Sequence, residues 1–158
     1  MTTMREFVKD AGITATSEQV SKNPNMVEDD WSRGARHYKV TLRRAGKRFT
    51  TYFSKGSALP YGVEPHEIVN SLASDWSTIQ SASGWKDWAK DMGYDWEPHV
   101  EEIRSRRQAE DYGYEKDWDT MKRAEKTYHL IETQTEKLRA FLGPDLYHPL
   151  LSGEIEFD

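Results

Sequence analysis

Apolar and polar positions alternate most regularly between His37 and Phe53. Tyr38, Val40 and Leu42 interleave with Lys39, Thr41 and Arg43, and after Ala45-Gly46 the residues Phe49, Thr51 and Phe53 interleave with Arg48, Thr50 and Tyr52. A period of two is that of a half-buried strand. The pattern therefore predicts an antiparallel hairpin over 37–54 with one apolar face and one polar, basic face. The β-branched stretch 13–20, ITATSEQV, predicts a further strand. Two strands alone are marginally stable, so the apolar face needs helices beneath it.

Steps of three and four residues mark those helices. Ala124, Tyr128, Ile131, Leu138 and Leu142 share one face of a helix over 121–142, which stops at Gly143-Pro144. Pro65 opens a helix over 65–79 with Ile68, Val69, Leu72, Ala73 and Trp76 on its face, and a short helix over 84–92 carries Trp85, Trp88 and Ala89. Thr3, with Glu6 three residues on, caps a two-turn helix before Gly12. Residues 21–34, with Asn23-Pro24-Asn25 and the acidic run Glu28-Asp29-Asp30, form a loop. Between Trp96 and Met121 the strong apolar residues are sparse, Val100 and Ile103 among many charges. This segment is expected to be an accessory helical insertion, mostly solvated. The tail 150–158 is acidic and expected to be flexible. The fold class is α+β: a small antiparallel sheet, hairpin 37–54 plus strand 13–20, packed against three to four helices in a single domain, 1–158.

Several phrases carry a resemblance when taken in order: HYKVTLRR at 37–44, FSKGSA at 53–58, LASDW at 72–76, WKDWAKDMGYD at 85–95 and KRAEKTYHLIETQTEKLRAFLG at 122–143. Together they resemble a family of small hypothetical proteins of tailed bacteriophages and prophages. The resemblance covers most of 1–95 and 122–151. It implies a phage source, a bacterial host cytoplasm and a fold neighbourhood. The family has no established activity, so no catalytic residue is carried over. The chain departs from the family's pattern at Trp96–Met121, an insertion of 26 residues where family members pass almost directly into the long helix.

Composition changes this picture little. At 158 residues the chain suits one domain with a modest core, and six tryptophans, eight tyrosines and five phenylalanines supply buried area that a hydrophobic content of 36% otherwise lacks. The absence of cysteine excludes disulfides and thiolate metal sites. No apolar run approaches the length of a membrane span and no leader pattern opens the chain, so a cytosolic protein without a membrane partner is expected. Charge changes it more. The net charge of −5 conceals a segment, 37–56, with Lys39, Arg43, Arg44, Lys47, Arg48 and Lys55 and no acid. Residues 57–158 carry eleven basic and twenty-one acidic groups. A basic ribbon on an acidic body is the chain's main electrostatic feature.

Catalytic patterns are missing. The histidines 37, 66, 99, 129 and 148 include no pair at i, i+4, and there is no HExxH, Walker loop, GxGxxG after a strand, or GxSxG. No cofactor or metal is expected, and the protein reads as a non-enzyme. Trp76, Trp85, Trp88 and Tyr94 form either a stacking platform or, more simply, core. Two binding readings remain. In the first, a host protein or protein–nucleic acid complex is held by the insertion through Arg104, Arg106, Arg107, Trp96, Tyr112 and Trp118, the aromatics being exposed anchors. That suits an inhibitor of a host nucleic-acid-based defence, of the anti-CRISPR or antirestriction kind; the acidic body has two readings, a mimic of nucleic-acid phosphates or merely a solubilising surface. In the second, nucleic acid is bound directly by the hairpin through Lys39, Arg43, Arg44, Lys47 and Arg48, since a two-stranded ribbon fits the major groove. The plain alternative is that these cations only solubilise a sheet edge. Monomer and homodimer both fit.

Overall fold

The computed structural model of the protein describes residues 2–26 and 29–157. In chain order these residues form strand β1 (Thr2–Thr3), helix α1 (Met4–Asp10), β2 (Thr14–Val20), α2 (Asp30–Gly34), β3 (Arg36–Arg44), β4 (Lys47–Lys55), α3 (Pro65–Gln80) and α4 (Trp85–Asp91). A 3-10 turn (Pro98–Glu102), α5 (Arg106–Asp111), α6 (Glu115–Leu142), α7 (Pro144–Leu151) and β5 (Ile155–Glu156) complete the order. The class is α+β. The chain divides into two compact units, one formed by the residues up to Asp75 with those from Thr133 on, the other by Trp76–Glu132.

The first unit holds the sheet, in the order β2-β3-β4, both pairings antiparallel. Ala45 (φ 49°) and Gly46 (φ 77°) both have positive φ, the two-residue turn whose twist matches that of the flanking strands. The register sets Leu42 opposite Phe49, Val40 opposite Thr51 and Tyr38 opposite Phe53. Tyr38, Val40, Leu42, Phe49 and Thr51 on that face are buried. The unit's other buried apolar residues include Met4, Phe7 and Val8 of α1, Ile68, Val69 and Ala73 of α3, Leu138, Phe141 and Leu142 at the end of α6, and Tyr147 and Leu150 of α7. The Phe49 and Phe141 rings lie 6.2 Å apart between centroids.

Two segments of this unit carry regular elements that the sequence pattern does not announce. The loop over 21–34 contains α2, capped by Asp29, whose carboxylate accepts from Ser32 N at 2.8 Å while Ser32 Oγ accepts from Asp29 N at 2.7 Å. Glu28 of the same acidic run lies outside the described residues. The tail carries the end of α7 and the strand β5. Pro144 starts that helix, at the first-turn position where a missing N–H costs nothing. β5 then pairs in parallel with β1, Thr2 opposite Ile155 and Thr3 opposite Glu156, and Ile155 is buried. The Thr3 cap is present, its Oγ1 accepting from Glu6 N at 3.2 Å.

The second unit overturns the picture of 96–121 as a solvated accessory element. Its core consists of Ile79, Trp88, Ala89, Trp96, Val100, Ala109, Trp118, Met121 and Ala124, and five of these nine come from the insertion. Trp85 stacks on Trp96 at 5.8 Å, and Trp88 meets Tyr94 at 5.8 Å and Tyr128 at 5.7 Å. The indole N–H of Trp88 donates to Thr78 Oγ1 at 3.0 Å and that of Trp96 to Glu101 at 3.4 Å. Few aliphatic residues are needed where four or five large rings fill the volume. Trp88 and Trp96 are thus core, with Trp76, Trp85 and Tyr94 partly buried against it, rather than an open stacking platform.

Candidate nucleic-acid interface

The alternation that buries one face of the sheet turns the other outward. Its cross-strand rows are Thr14, Arg43 and Arg48; Thr16, Thr41 and Thr50; Glu18, Lys39 and Tyr52. Thr14, Thr16, Glu18, Lys39, Arg43, Arg48 and Thr50 are exposed, and Thr41 and Tyr52 are partly so. The face therefore carries three cations, four threonine hydroxyls, one aromatic ring and one carboxylate. Arg43 NH1 donates to Thr16 Oγ1 at 2.7 Å, which lays its guanidinium across β2. Arg43 stands directly opposite Arg48, a like-charge pair next to the closing pair Arg44/Lys47. In an antiparallel ladder such opposed like charges are destabilising.

The five basic residues predicted for this interface do two different jobs. Arg44 Nε donates to Ala11 O at 3.2 Å and its NH1 to Leu142 O at 3.4 Å. Lys47 Nζ donates to Ala140 O at 3.4 Å. These carbonyls lie at the C-terminal ends of α1 and α6, where unsatisfied oxygens and the helix dipole favour cations. Arg44 and Lys47 are helix caps that also lend charge to the hairpin tip. Among the described residues, Lys39, Arg43 and Arg48 cap no helix end, and they are the exposed cations of the face. Open concavities flank the tip. One, of about 540 Å³, is lined by Gly12, Thr14 and the turn residues 43–48. The other, of about 570 Å³, adds Lys137 of α6 to Lys47 and Arg48.

The residues predicted for a protein partner in the insertion separate in the same way. Trp96 and Trp118, expected as exposed anchors, are core residues with 8% and 9% exposure. Arg106 is held by Asp119 at 2.9 and 3.1 Å and by Glu110, and it pulls the Asp119 carboxyl below its ordinary value through that hydrogen bond. Arg104, Arg107 and Tyr112 are exposed, Tyr112 by 64%.

Among the described residues, no group of three or more histidine, aspartate or glutamate side chains is placed to hold a metal ion. No helix among them is long and apolar enough to cross a membrane. The hairpin also holds two cations on its buried side, Arg36 and Lys55, opposite one another; Lys55 belongs to the basic segment 37–56, but neither was expected to face inward. They are in phase with Tyr38 and Phe53. Extending the period-two pattern by one residue at each end of the hairpin would have placed them inward. No family model, curated protein or solved structure matches the chain.

Proposed function

We propose that the chain is a non-enzymatic binding protein whose outer sheet face holds the sugar-phosphate backbone of a nucleic acid. One observation carries this reading: Lys39, Arg43 and Arg48 stand together on an uncovered face with a single opposing carboxylate, Glu18. A phosphate seated between Arg43 and Arg48 relieves their mutual repulsion and accepts charge-assisted hydrogen bonds. The threonine hydroxyls supply further donors of the kind that contact phosphate and sugar. Tyr52 alone offers a ring for stacking, so the face suits backbone contact rather than base readout. Together with the resemblance to tailed-phage proteins, this makes the chain a phage accessory protein of the early, nucleic-acid-handling kind, working in the bacterial cytoplasm. The test is binding of labelled single-stranded and duplex oligonucleotides. The triple variant K39A/R43A/R48A loses binding to the preferred form, and R104A/R107A retains it. Equal affinity of the triple variant and the parent contradicts the assignment.

The exposed trio Arg104, Arg107 and Tyr112 favours a second reading, a host-protein partner and inhibition of a nucleic-acid-based defence. A tagged pull-down divided into nuclease-treated and untreated halves separates the two. Partners lost after nuclease favour the sheet face. A partner that survives nuclease and is lost in R104A/R107A/Y112A favours the inhibitor.

A further inference from the structure

At the end of the sheet away from the hairpin turn, Arg36 and Lys55 face each other across β3 and β4 on the buried side, with 8% and 7% exposure. Lys55 is compensated: its Nζ donates to Glu67 at 2.9 Å and to Gly62 O at 3.0 Å. Arg36 is not. Its NH2 donates to the backbone oxygens of Ser57 at 2.8 Å and Gly56 at 3.4 Å, while its Nε and NH1 are buried without a hydrogen-bond partner among the described residues. No carboxylate among the described residues pairs with it. A buried guanidinium with no anion and two idle donors is an expensive arrangement that calls for an external acceptor. An aromatic ring lies over Arg36. The guanidinium carbon lies 4.0 Å from the centroid of Tyr61, and Tyr61 is itself 80% exposed, so few other contacts hold it in place.

We infer that Arg36 is the anchor of a protein-docking site, taking a carboxylate from a partner polypeptide when the Tyr61 ring swings aside. The surroundings select this occupant. Leu59, on the same loop, is 52% exposed, and Trp31, on the helix leading into β3, is 53% exposed. Arginine beneath a tyrosine ring pairs two of the residue types enriched in interface hot spots. A phosphate backbone would instead need a row of cations, which lies at the hairpin turn. The partner segment presents one acidic residue with an apolar neighbour, the acid on Arg36 and the apolar group against Leu59 and Tyr61.

The probe is acetate, replacing chloride at constant ionic strength, read in ¹H–¹⁵N spectra of the whole chain. The Arg36 Nε–H signal and the backbone amides of Ser57 and Leu59 are expected to shift along one saturable curve that the Arg43 and Arg48 signals do not follow. Y61A, a change at an exposed side chain that spares the fold, is expected to lower the acetate midpoint several-fold, and R36Q to abolish the saturable shift of the loop amides. A linear drift common to all arginine signals overturns the site. An unchanged midpoint in Y61A overturns the role of the ring as a cover. A tighter midpoint with inorganic phosphate than with acetate overturns the carboxylate assignment.

Discussion

Arg43, Arg44 and Arg48 lie within six residues of one another, and the structure assigns them opposite consequences on mutation. R44A removes two hydrogen bonds to helix-end carbonyls and is predicted to cost about 1–2 kcal/mol of stability. R43A and R48A relieve a like-charge pair and should change stability by no more than about 0.5 kcal/mol, while weakening nucleic-acid binding. Chemical denaturation of the three variants checks this. A large loss in R43A together with none in R44A would contradict it. Ala45 gives a further test, because it holds φ 49° without a side chain suited to it. Ala45→Asn, which favours this turn, is predicted to stabilise by about 0.5–1 kcal/mol and to leave binding unchanged. At this scale the sequence announces which side chains face outward, since alternation alone puts Arg43 and Arg48 on the polar face. It does not announce that Arg44 and Lys47 reach helix ends, because Leu142 is 98 residues from Arg44 and no local pattern links them.

Elements follow the same division between local and distant information. The hairpin, β2, α3 and α4 are where the periodicity puts them, because each is specified by its own residues. The insertion 96–121 is misread from sequence because counting aliphatic positions undervalues rings. Trp96 and Trp118 bury large areas from a segment that otherwise looks solvated. W118A is accordingly predicted to destabilise by about 3–5 kcal/mol, whereas R104A/R107A/Y112A stays within about 0.5 kcal/mol, both measurable by denaturant melts. A W118A protein as stable as the parent would return that residue to the surface. The β1–β5 pairing is equally invisible in sequence, since it joins two strands of two residues from opposite ends of the chain. Truncation before Gly153 removes the pairing and the buried Ile155, and is predicted to cost about 2 kcal/mol.

For the whole molecule, charge and pH make the wider predictions. Burial raises the Asp75 carboxyl from 3.8 to about 6. The folded chain then binds this proton more tightly than the unfolded chain, so ionised Asp75 costs stability above pH 6. That cost is relieved as pH falls from about 6 towards 4, by up to about 3 kcal/mol. Glu67 has the opposite sign. Burial raises its carboxyl, but hydrogen bonds from Glu64 N and Lys55 outweigh burial and hold it below 4.5, so its contribution is lost only at pH below that. Thermal melts across pH are predicted to show stability rising from pH 7 to about 5 and falling below about 4. In D75N the rise is flattened and the melting temperature at pH 7.5 is higher. The charge of the first unit is nearly balanced, thirteen basic against fourteen acidic residues, so its cationic face owes its potential to placement and not to net charge. The most direct test of the account is therefore the salt dependence of duplex binding, followed by fluorescence anisotropy for the parent and for K39A/R43A/R48A. The account predicts that log affinity falls linearly with log salt and that the triple variant loses about 0.9 of slope for each cation removed. Parallel lines for the two proteins would contradict it.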